Sequence, residues 1–251
     1  SDTITVKATP TATGQAPAKA AARLRGDPTA GQMVVFVGDT QVSAPADVGE
    51  DGTYTMTVSA ADVLAAAGGP GTGITLTAKF VGNNNMADAA GTVPVNISAV
   101  AKVVNGSSTT YVGNLDDAFK TENDGATITL LKDVTRATTL RIKINCTLDL
   151  NGHNIKSTNE TCLSVYGSFA VTIQGEGEII SEQSHALVVA GSVTLEGGTF
   201  TSNKGDYAGV YVNGGTLSVT GKNVVIQNTG SGYGLAVNNA QSVQLSGGTY
   251  S

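Results

Sequence analysis

Short apolar runs return at a regular interval in the second part of the chain. The clearest run alternates apolar and polar residues, meets Gly or Asn near its end, and recurs about every two dozen residues. Its members are LSVYGS from Leu163, LVVAGS from Leu187, VYVNGG from Val210 and LAVNNA from Leu235. A fixed period of this kind predicts stacked structural repeats, because a single repeat cannot bury its own apolar side.

Two further families of runs follow the first within every period. One comprises VTIQG from Val171, VTLEG from Val193, LSVTG from Leu217 and VQLSG from Val243. The other comprises EIIS from Glu178, TFTS from Thr199, VVIQ from Val224 and TYS from Thr249. We call the three families the first, second and third columns. Three short strands per period, separated by turn residues, predict a right-handed, three-sided parallel β-helix over residues 99–251.

The repeat extends upstream of these runs. The segment TLDLNGHNIKS (147–157) aligns one period before VTIQGEGEIIS (171–181), and Leu140 falls one period before Leu163. We therefore expect the solenoid to start near Ile128.

Alternation within each strand predicts which side chains point into the solenoid. In the first column these are Leu163, Val165, Leu187, Val189, Val210, Val212, Leu235 and Val237. In the second they are Val171, Ile173, Val193, Leu195, Leu217, Val219, Val243 and Leu245, and in the third Ile179, Phe200, Val225 and Tyr250. The second column then turns mainly Thr, Ser and Gln to the outside.

An amphipathic segment precedes the first coil. NLDDAFKTEN (114–123) places Leu115, Ala118 and Phe119 on one helical face and begins with an Asn that is a candidate N-cap. We expect this helix to cover the N-terminal end of the solenoid, where the core would otherwise meet water. The sequence stops at Ser251 inside a third-column strand, so the domain is expected to be truncated there and the natural chain to continue through more coils.

Residues 1–98 show a different pattern, with short apolar or alternating segments separated by Gly, Asp and Asn. These segments are Ile4–Ala8, Ala18–Leu24, Met33–Val37, Tyr54–Val58, Ile74–Phe80 and Val93–Ile97. Short strands at near-regular spacing predict a β-sandwich. A short helix is expected over Ala60–Ala67, with Ser59 as its N-cap and Gly68 and Gly69 ending it.

Composition favours an all-β protein and limits the kinds of partner that it is expected to bind. The 251 residues include 32 Gly, no Trp and only 14% charged residues, whereas a typical soluble domain has about 25%. Gly and β-branched residues favour turns and strands. A net charge of −6 with scattered Lys and Arg argues against nucleic acid as a partner. No apolar run is long enough for a membrane span, so we expect no membrane insertion, and we expect a monomer.

Histidines and cysteines give little sign of a metal site. Cys146 and Cys162 are too few for a zinc site or a disulfide framework, and a buried free-thiol pair and a disulfide both stay open. His153 and His185 have no Cys or acid at ligand spacing and are expected to fill turns. We predict neither a metal nor a cofactor.

Charged residues likewise build no obvious catalytic site. The candidates are Arg136, Arg141, Asp133, Asp149, Glu176, Glu178, Glu182 and Glu196. Two carboxylates could hydrolyse a glycoside only at a separation that leaves room for a nucleophile or a water. Glu176 and Glu178 lie in one turn, and Glu182 and Glu196 are expected to be near neighbours on successive coils. Solvated turns explain these acids equally well, so we predict no catalytic residue.

The first domain resembles the bacterial immunoglobulin-like repeats of surface proteins. The resemblance lies in GQMVVFVGDTQV (31–42), DGTYTMTVS (51–59) and ITLTAKFVGNNNMADAAGTVPVNI (74–97). In that family a strand ending in an aromatic residue and a Gly-Asp-x-Asn turn precede the last strand, and Phe80 with Gly82 takes that place here, although Asn83 replaces the usual Asp. The resemblance implies a spacer or adhesive module.

The second domain is similar to the start of pectate-lyase-like β-helix domains in large surface proteins of Gram-positive bacteria. The similarity lies in YVGNLDDAFKTENDGATITLLKDV (111–134) followed by TLDLNGHNI (147–155), and it covers residues 111–251. That architecture carries lyases, hydrolases and adhesin shafts alike, so it implies a fold and a location at the cell surface without fixing an activity.

The outward side of the first column departs from the polar pattern. Its positions are Ser164, Tyr166, Val188, Ala190, Tyr211, Asn213, Ala236 and Asn238, and Tyr207 and Tyr233 lie just before the strands. An exposed apolar stripe usually covers something or is covered. Either a loop or the first domain packs on this stripe, or it forms a shallow groove in which the four tyrosines stack on sugar rings while the two asparagines donate hydrogen bonds.

These observations favour a non-catalytic, extracellular or cell-wall-associated protein that acts as an adhesin shaft or a glycan-binding module. Its expected partners are host or cell-wall glycans or host surface proteins. The alternative is a carbohydrate-active enzyme, a polysaccharide lyase or a glycoside hydrolase, whose site lies in coils outside this chain.

Overall fold

The computed structural model of the chain describes residues 3–8, 32–81 and 90–251. Contacts divide the chain into two compact units, Ser1–Ser98 and Ala99–Ser251. Both units are built mainly of strands with few helices, so the protein belongs to the all-β class. The expectation of an all-β protein is confirmed.

Within its described residues, the N-terminal unit contains two antiparallel sheets. Its elements are β1 (Thr3–Ala8), β2 (Gln32–Val37), β3 (Thr40–Gln41), β4 (Tyr54–Ser59), α1 (Ala60–Ala67), β5 (Gly71–Val81) and β6 (Ala90–Ile97). Strand β1 pairs with β4, and the second sheet has the order β3-β2-β5-β6. Five of the predicted strands are therefore present. The predicted strand Ala18–Leu24 and the turn at 82–85 lie outside the described residues.

Local chemistry explains where α1 begins and ends. The Ser59 hydroxyl accepts a hydrogen bond from the Asp62 amide at 3.0 Å, which satisfies a free N–H of the first turn. Gly68 ends the helix in the left-handed region at φ 76°, where glycine carries no steric cost. Val63 and Leu64 are buried in the unit. The predicted helix and both of its ends are confirmed.

The C-terminal unit is a parallel β-solenoid of about five turns, with one parallel sheet for each column. It opens with β7 (Ala101–Asn105), β8 (Ser108–Val112) and the helix α2 (Leu115–Ala118). The second column contains β9 (Ala126–Leu130), β12 (Cys146–Asp149), β15 (Ala170–Gln174), β18 (Ser192–Leu195), β21 (Thr216–Val219) and β24 (Ser242–Leu245). The third contains β10 (Val134–Arg136), β13 (Ile155–Ser157), β16 (Glu178–Ser181), β19 (Thr199–Ser202), β22 (Val225–Asn228) and β25 (Thr249–Tyr250). The first contains β11 (Leu140–Ile142), β14 (Leu163–Val165), β17 (Leu187–Val189), β20 (Ala208–Asn213) and β23 (Tyr233–Asn238).

The register of the first column follows the sequence alignment. Leu140, Leu163, Leu187, Val210 and Leu235 lie opposite one another on successive coils. The first four of these side chains are fully buried in one continuous core cluster, and the last packs against it. Since apolar side chains stack on equivalents in the neighbouring coils, every internal coil buries both of its sides.

The upstream alignment is wrong by one residue in β12. It paired Leu148 with Thr172, whereas Leu148 lies opposite Ile173 and both of these side chains are fully buried. The alignment is right again in β13, where Ile155 lies opposite Ile179. The turn between the two strands has one residue more in this coil than in the next, and an ungapped alignment could not accommodate it.

The third column contains a second register error. Ile226, rather than the predicted Val225, lies opposite Phe200 and points inward, while Val225 is only half-buried. The turn before β22 is longer than the turn before β19 and buries Val224 as well. In the last coil, the inward positions Val237 and Leu245 stay about half exposed, because a coil packs against them on one side only.

An antiparallel hairpin, which the sequence pattern did not predict, precedes the first coil. Strand β7 pairs with β8 and also runs antiparallel to β9, so the hairpin extends the second column beyond the first coil. The helix expected over 114–123 is shorter, because α2 has four residues and a 3₁₀ turn at Thr121–Asn123 follows it. Leu115, Ala118 and Phe119 nevertheless belong to the core cluster of the solenoid.

Two asparagines delimit α2. The Asn114 side chain accepts a hydrogen bond from the Asp116 amide at 3.1 Å, as the sequence predicted for an N-cap. The Asn123 amide donates to the carbonyls of Asp117 and Ala118, each at 3.1 Å. Because these carbonyls would bond to the next helical turn if the helix continued, the Asn123 side chain ends it.

A row of polar residues ends four third-column strands. We call Ser157, Ser181, Ser202 and Asn228 the corner ladder, since they lie opposite one another on successive coils. The three serines are fully buried. The second and third of them donate to carbonyls in the turn of the preceding coil, Glu160 and Ser184 respectively, at 2.8 Å. A buried hydroxyl without a partner costs about 1–3 kcal/mol, so the ladder holds these turns in place.

Glycine is required where successive turns touch. Gly177 has φ +135°, and a Cβ at this position would overlap the carbonyl oxygen of His153 in the preceding coil. A Cβ on Gly221 would overlap the carbonyl oxygen of Glu196 in the same way. The high Gly content therefore allows the turns between the second and third columns to stack closely.

Candidate functional site

The outward side of the first column carries the residues singled out from the sequence. One row contains Ser164, Val188, Tyr211 and Ala236 on four successive strands. The row beside it contains Asn213 and Asn238, which lie opposite each other, with Tyr166 and Ala190 directly after the ends of β14 and β17. We call these two rows, together with Tyr207 and Tyr233, the first-column face. Most of the face lies on strands, where the backbone fixes the spacing of the side chains, while Tyr166, Ala190 and Tyr207 lie in the adjoining turns.

Ser164 is the exception to the predicted exposure of this face. It lies between two inward residues in β14, yet it is only 1% exposed. Arg141 and Val188 occupy the adjacent outward positions, and their larger side chains flank the small one. Within the described residues the Ser164 hydroxyl has no hydrogen-bond partner. This position is therefore not available to a ligand, and the prediction that it is exposed is wrong.

Tyr207 and Tyr211 meet on the imidazole of His185. The rings of His185 and Tyr211 stack with centroids 4.6 Å apart and an interplanar angle of 20°. The Tyr207 ring lies edge-on to the imidazole, with centroids 5.0 Å apart and an angle of 77°. All three side chains are half-buried. We call these three residues the aromatic cluster.

His185 is the site residue that sequence reasoning missed, because it predicted only a turn-filling role. The available signal was position, since His185 precedes β17 as Tyr207 precedes β20. Its Nδ1 accepts a hydrogen bond from the Ala208 amide at 2.9 Å, so this nitrogen carries no proton and the neutral ring holds its proton on Nε2. Burial lowers the pKa of His185 and keeps the imidazole neutral at neutral pH.

The two asparagines of the face form a pair beside the cluster. Asn213 and Asn238 lie opposite each other on β20 and β23, and both are exposed. The Asn238 amide donates to Oδ1 of Asn213 at 3.3 Å. A side-chain amide has two N–H donors and a carbonyl with two lone pairs, so this single bond leaves hydrogen-bonding capacity on both residues.

The remaining two tyrosines lie at the margins of the face. Tyr233 is 73% exposed and Tyr166 is 38% exposed. In the part of the chain that the structure describes, neither ring stacks on the aromatic cluster. Tyr233 lies opposite Ala208, one coil beyond Tyr207. The structure thus brings Tyr207 and Tyr211 together and leaves Tyr166 and Tyr233 as separate exposed rings.

Asn228 of the corner ladder holds the turn that carries Tyr207. Its Nδ2 donates to the carbonyls of Lys204 and Tyr207 at 2.8 and 2.7 Å. Its Oδ1 accepts hydrogen bonds from the amides of Gly230 and Gly232 at 2.7 and 3.2 Å. One side chain therefore ties the turn before β20, which carries Tyr207, to the turn before β23.

Two of the charged residues considered for catalysis, Arg136 and Glu182, form ion pairs outside the first-column face. Arg136 pairs with Asp116 of α2 at 3.0 Å, and Lys156 pairs with Glu182 at 2.6 Å. Glu182 and Glu196 lie at different corners of the solenoid, because one follows a third-column strand and the other a second-column strand. The prediction that they are near neighbours is therefore wrong.

Both cysteines are buried and free. Cys146 lies in β12 of the second column, whereas Cys162 directly precedes β14 of the first. Burial raises the pKa of each thiol to about 12. Because the thiolate is the reactive form, burial disfavours a nucleophilic role for either residue at neutral pH.

Other kinds of site were sought over the same residues. Within 3–8, 32–81 and 90–251, no group of three or more His, Cys, Asp or Glu side chains is placed to hold a metal ion. The helices in these ranges include none that is long and apolar enough to cross a membrane. No protein-family model, curated protein or solved structure matches the chain. Support for the candidate site therefore comes from the geometry of its own residues.

Proposed function

We propose that the chain is a non-catalytic glycan-binding protein whose first-column face contacts the sugar. The observation that carries this proposal is the stack of His185 and Tyr211, with Tyr207 at its edge and the Asn213 and Asn238 pair beside it. Aromatic rings offer an apolar face to the C–H face of a pyranose, and side-chain amides can bond its hydroxyls. Both kinds of group occur together on this face.

The proposed role of the rest of the chain is to display the first-column face. In this proposal a right-handed, three-sided β-helix forms a shaft, α2 covers its N-terminal end, and an immunoglobulin-like sandwich forms a spacer. Support comes from the two antiparallel sheets of the N-terminal unit and from the buried apolar face of α2. The proposed location is the cell surface of a Gram-positive bacterium, and the proposed partners are host or cell-wall glycans or host surface proteins.

A glycan array tests the binding site. The variant Tyr211→Ala should weaken binding about two- to tenfold, since an aromatic stacking contact is worth about 0.5–1.5 kcal/mol. Tyr211→Phe should bind like the wild type because it keeps the ring, and Thr194→Ala on the second column is the matched control. Glycan binding that Tyr211→Ala leaves unchanged would remove the first-column face as the site.

If the protein were instead a lyase or a hydrolase, it would cleave glycans and not only bind them. Polygalacturonate and mixed host-type glycans, incubated with the protein in the presence of calcium, should remain uncleaved if the protein only binds. Release of new reducing ends, or of the unsaturated products that a lyase forms, would contradict the non-catalytic proposal.

A further inference from the structure

Three polar side chains meet on the outward side of the third column. Glu178, Thr201 and Gln227 lie on the successive strands β16, β19 and β22. Thr201 is opposite Gln227, whereas Glu178 is opposite Thr199, two residues before Thr201 in β19. A fully buried, inward-pointing residue adjoins each of the three, and these residues are Ile179, Phe200 and Ile226. Because successive residues of a strand point to opposite sides, all three polar side chains point outward.

The Thr201 hydroxyl is hydrogen-bonded to both of the other side chains. It donates to Oε1 of Glu178 and accepts from Nε2 of Gln227, which lies 3.0 Å from Oγ1. The amide carbon of Gln227 is within about 4.3 Å of Oγ1, since an amide C–N bond is about 1.3 Å long. A hydroxyl that donates to a base is the arrangement that activates Thr as a nucleophile. The hydroxyl oxygen therefore has a base on one side and an amide group on the other.

Thr201 is shielded from water although its side chain points outward. It is only 3% exposed, and Glu178 and Gln227 are half-buried. A second pair of a hydroxyl and an amide, Thr229 and Asn203, is exposed, and there the hydroxyl donates to Oδ1 of the amide at 2.8 Å. Exclusion of water protects a reactive product from hydrolysis. Only the Thr201 pair combines a base with this protection among the two.

We propose that Thr201 and Gln227 react once to form an ester bond that links two successive coils. Glu178 takes the hydroxyl proton while Oγ1 of Thr201 attacks the amide carbon of Gln227. The bond between this carbon and Nε2 then breaks, and the nitrogen leaves as ammonia with the proton that Glu178 returns. The products are one ester and one ammonia molecule, and Glu178 is a carboxylate again. The step needs no oxidant, metal or second substrate.

The fold favours this reaction of an otherwise stable amide. Strand pairing holds Thr201 opposite Gln227, and well-oriented intramolecular reactions reach effective concentrations of about 10⁵–10⁸ M. The terminal torsion of a Gln side chain has broad energy wells, so the amide carbon can turn toward Oγ1 at little cost. Because Gln227 is half-buried, ammonia can escape to the solvent, where dilution makes its loss irreversible.

The mass of the intact protein tests the proposal. The wild type, kept for several days at neutral pH, should be lighter than its sequence by the mass of one ammonia molecule. Thr201→Val should have the full mass of its own sequence, whereas Thr201→Ser keeps a hydroxyl and should lose ammonia. Glu178→Gln removes the base and should slow the loss about 10²–10⁴-fold. Thr229→Val, at the exposed pair, is the matched control and should lose ammonia as the wild type does. Circular dichroism shows whether each variant is folded.

A peptide map of the wild type locates the bond and does not depend on any variant. Trypsin cleaves after Lys204 and Lys222, so without a cross-link Thr201 and Gln227 belong to separate peptides. The ester should join residues 157–204 to residues 223–251 in one species, which tandem mass spectrometry identifies and hydroxylamine separates. A succinimide at an Asn-Gly sequence also releases ammonia, but it leaves these two peptides unlinked.

Two results would overturn the cross-link. One is a wild-type protein that keeps its full mass or gives no linked peptide, and the other is a linked species in folded Thr201→Val. Neither result bears on the glycan-binding proposal, because Thr201 and Gln227 lie in the third-column sheet and the first-column face lies in another. Failure of the glycan array would likewise leave the cross-link standing.

Discussion

The outward sides of the second and first columns differ in how strictly they repeat. In the second column one row contains Thr127, Thr147, Thr172, Thr194 and Ser218, a hydroxyl on five successive strands, before Gln244 takes the position on β24. The corresponding row of the first column changes from Ser164 to Val188, Tyr211 and Ala236. Cross-strand pairs of similar residues stabilise a sheet, so the repeated row is explained by stacking alone. The varied row contains side chains that stacking does not require.

The inward rows do not show this difference. Val193 and Leu195 in the second column and Leu187 and Val189 in the first are all almost completely buried in one core cluster. The coils therefore share a uniform interior while one outward side varies. In a solenoid, the place where the outward repeat breaks is the first place to look for binding.

The largest expected effect is a difference in stability between substitutions on the inward and outward sides of the second column. Leu195→Ala removes a fully buried side chain and should lower the free energy of unfolding by about 2–5 kcal/mol. Thr194→Ala, its outward neighbour, should change it by only about 0.5 kcal/mol. Urea denaturation measures both. A Thr194→Ala variant as unstable as Leu195→Ala would mean that the threonine row, and not the core, holds the coils together.

A smaller effect is expected at the corner that supports the first-column face. Asn228→Ala removes the side chain that bonds two carbonyls and two amides, and it should cost roughly 1–3 kcal/mol of stability. Asn203→Ala, in the exposed part of the preceding turn, is the matched control and should cost less. Hydrogen exchange should show faster exchange in the turns before β20 and β23. Unchanged exchange there would contradict the supporting role of Asn228.

The smallest effect concerns pH, because the first-column face contains a histidine. Burial lowers the pKa of His185 in the folded protein, so the unfolded chain takes up a proton first as the pH falls below about 6.5. Stability should therefore decrease between about pH 7 and 5. His185→Asn keeps a hydrogen-bond acceptor near the Ala208 amide but does not titrate, so the free energy of unfolding should depend less on pH in this range.

Acid denaturation, to which two carboxylates contribute, is expected at a lower pH than the histidine effect. Hydrogen bonds from Thr139 lower the pKa of Glu160, and a hydrogen bond from Lys156 lowers the pKa of Glu182. Their contributions are present at neutral pH and are lost as the pH falls below about 4.5, the ordinary value for Glu. Equal pH dependence of the wild type and His185→Asn between pH 7 and 5 would contradict the histidine effect.

The sequence predicted the parts of the solenoid that repeat. Leu163, Leu187 and Val210 share one spacing and one flanking pattern, so their register followed directly from the alignment. Predictions failed where a turn changed length, since Leu148 and Ile226 lie just beside such turns. A period cannot reveal an added residue that folds outside the repeating strands.

The candidate site was predicted only in outline. The two rows of the first-column face came from period-2 alternation, which depends on the backbone alone. The burial of Ser164 and the stacking of His185 on Tyr211 depend on side chains from neighbouring coils and turns, which a period does not encode. The hairpin of β7 and β8 was missed for a related reason, because it belongs to no repeat.

At the corner ladder, a turn can change in length and content without changing how the coils stack. Ser181 and Ser202 lie opposite each other, and so do Leu187 and Val210, although the connection in the second coil is two residues longer. The longer connection contains Tyr207. Loops of different length and content can therefore be exchanged at this corner without shifting the strands on either side. The solenoid provides an architecture in which new recognition loops can evolve while the coils are conserved in shape.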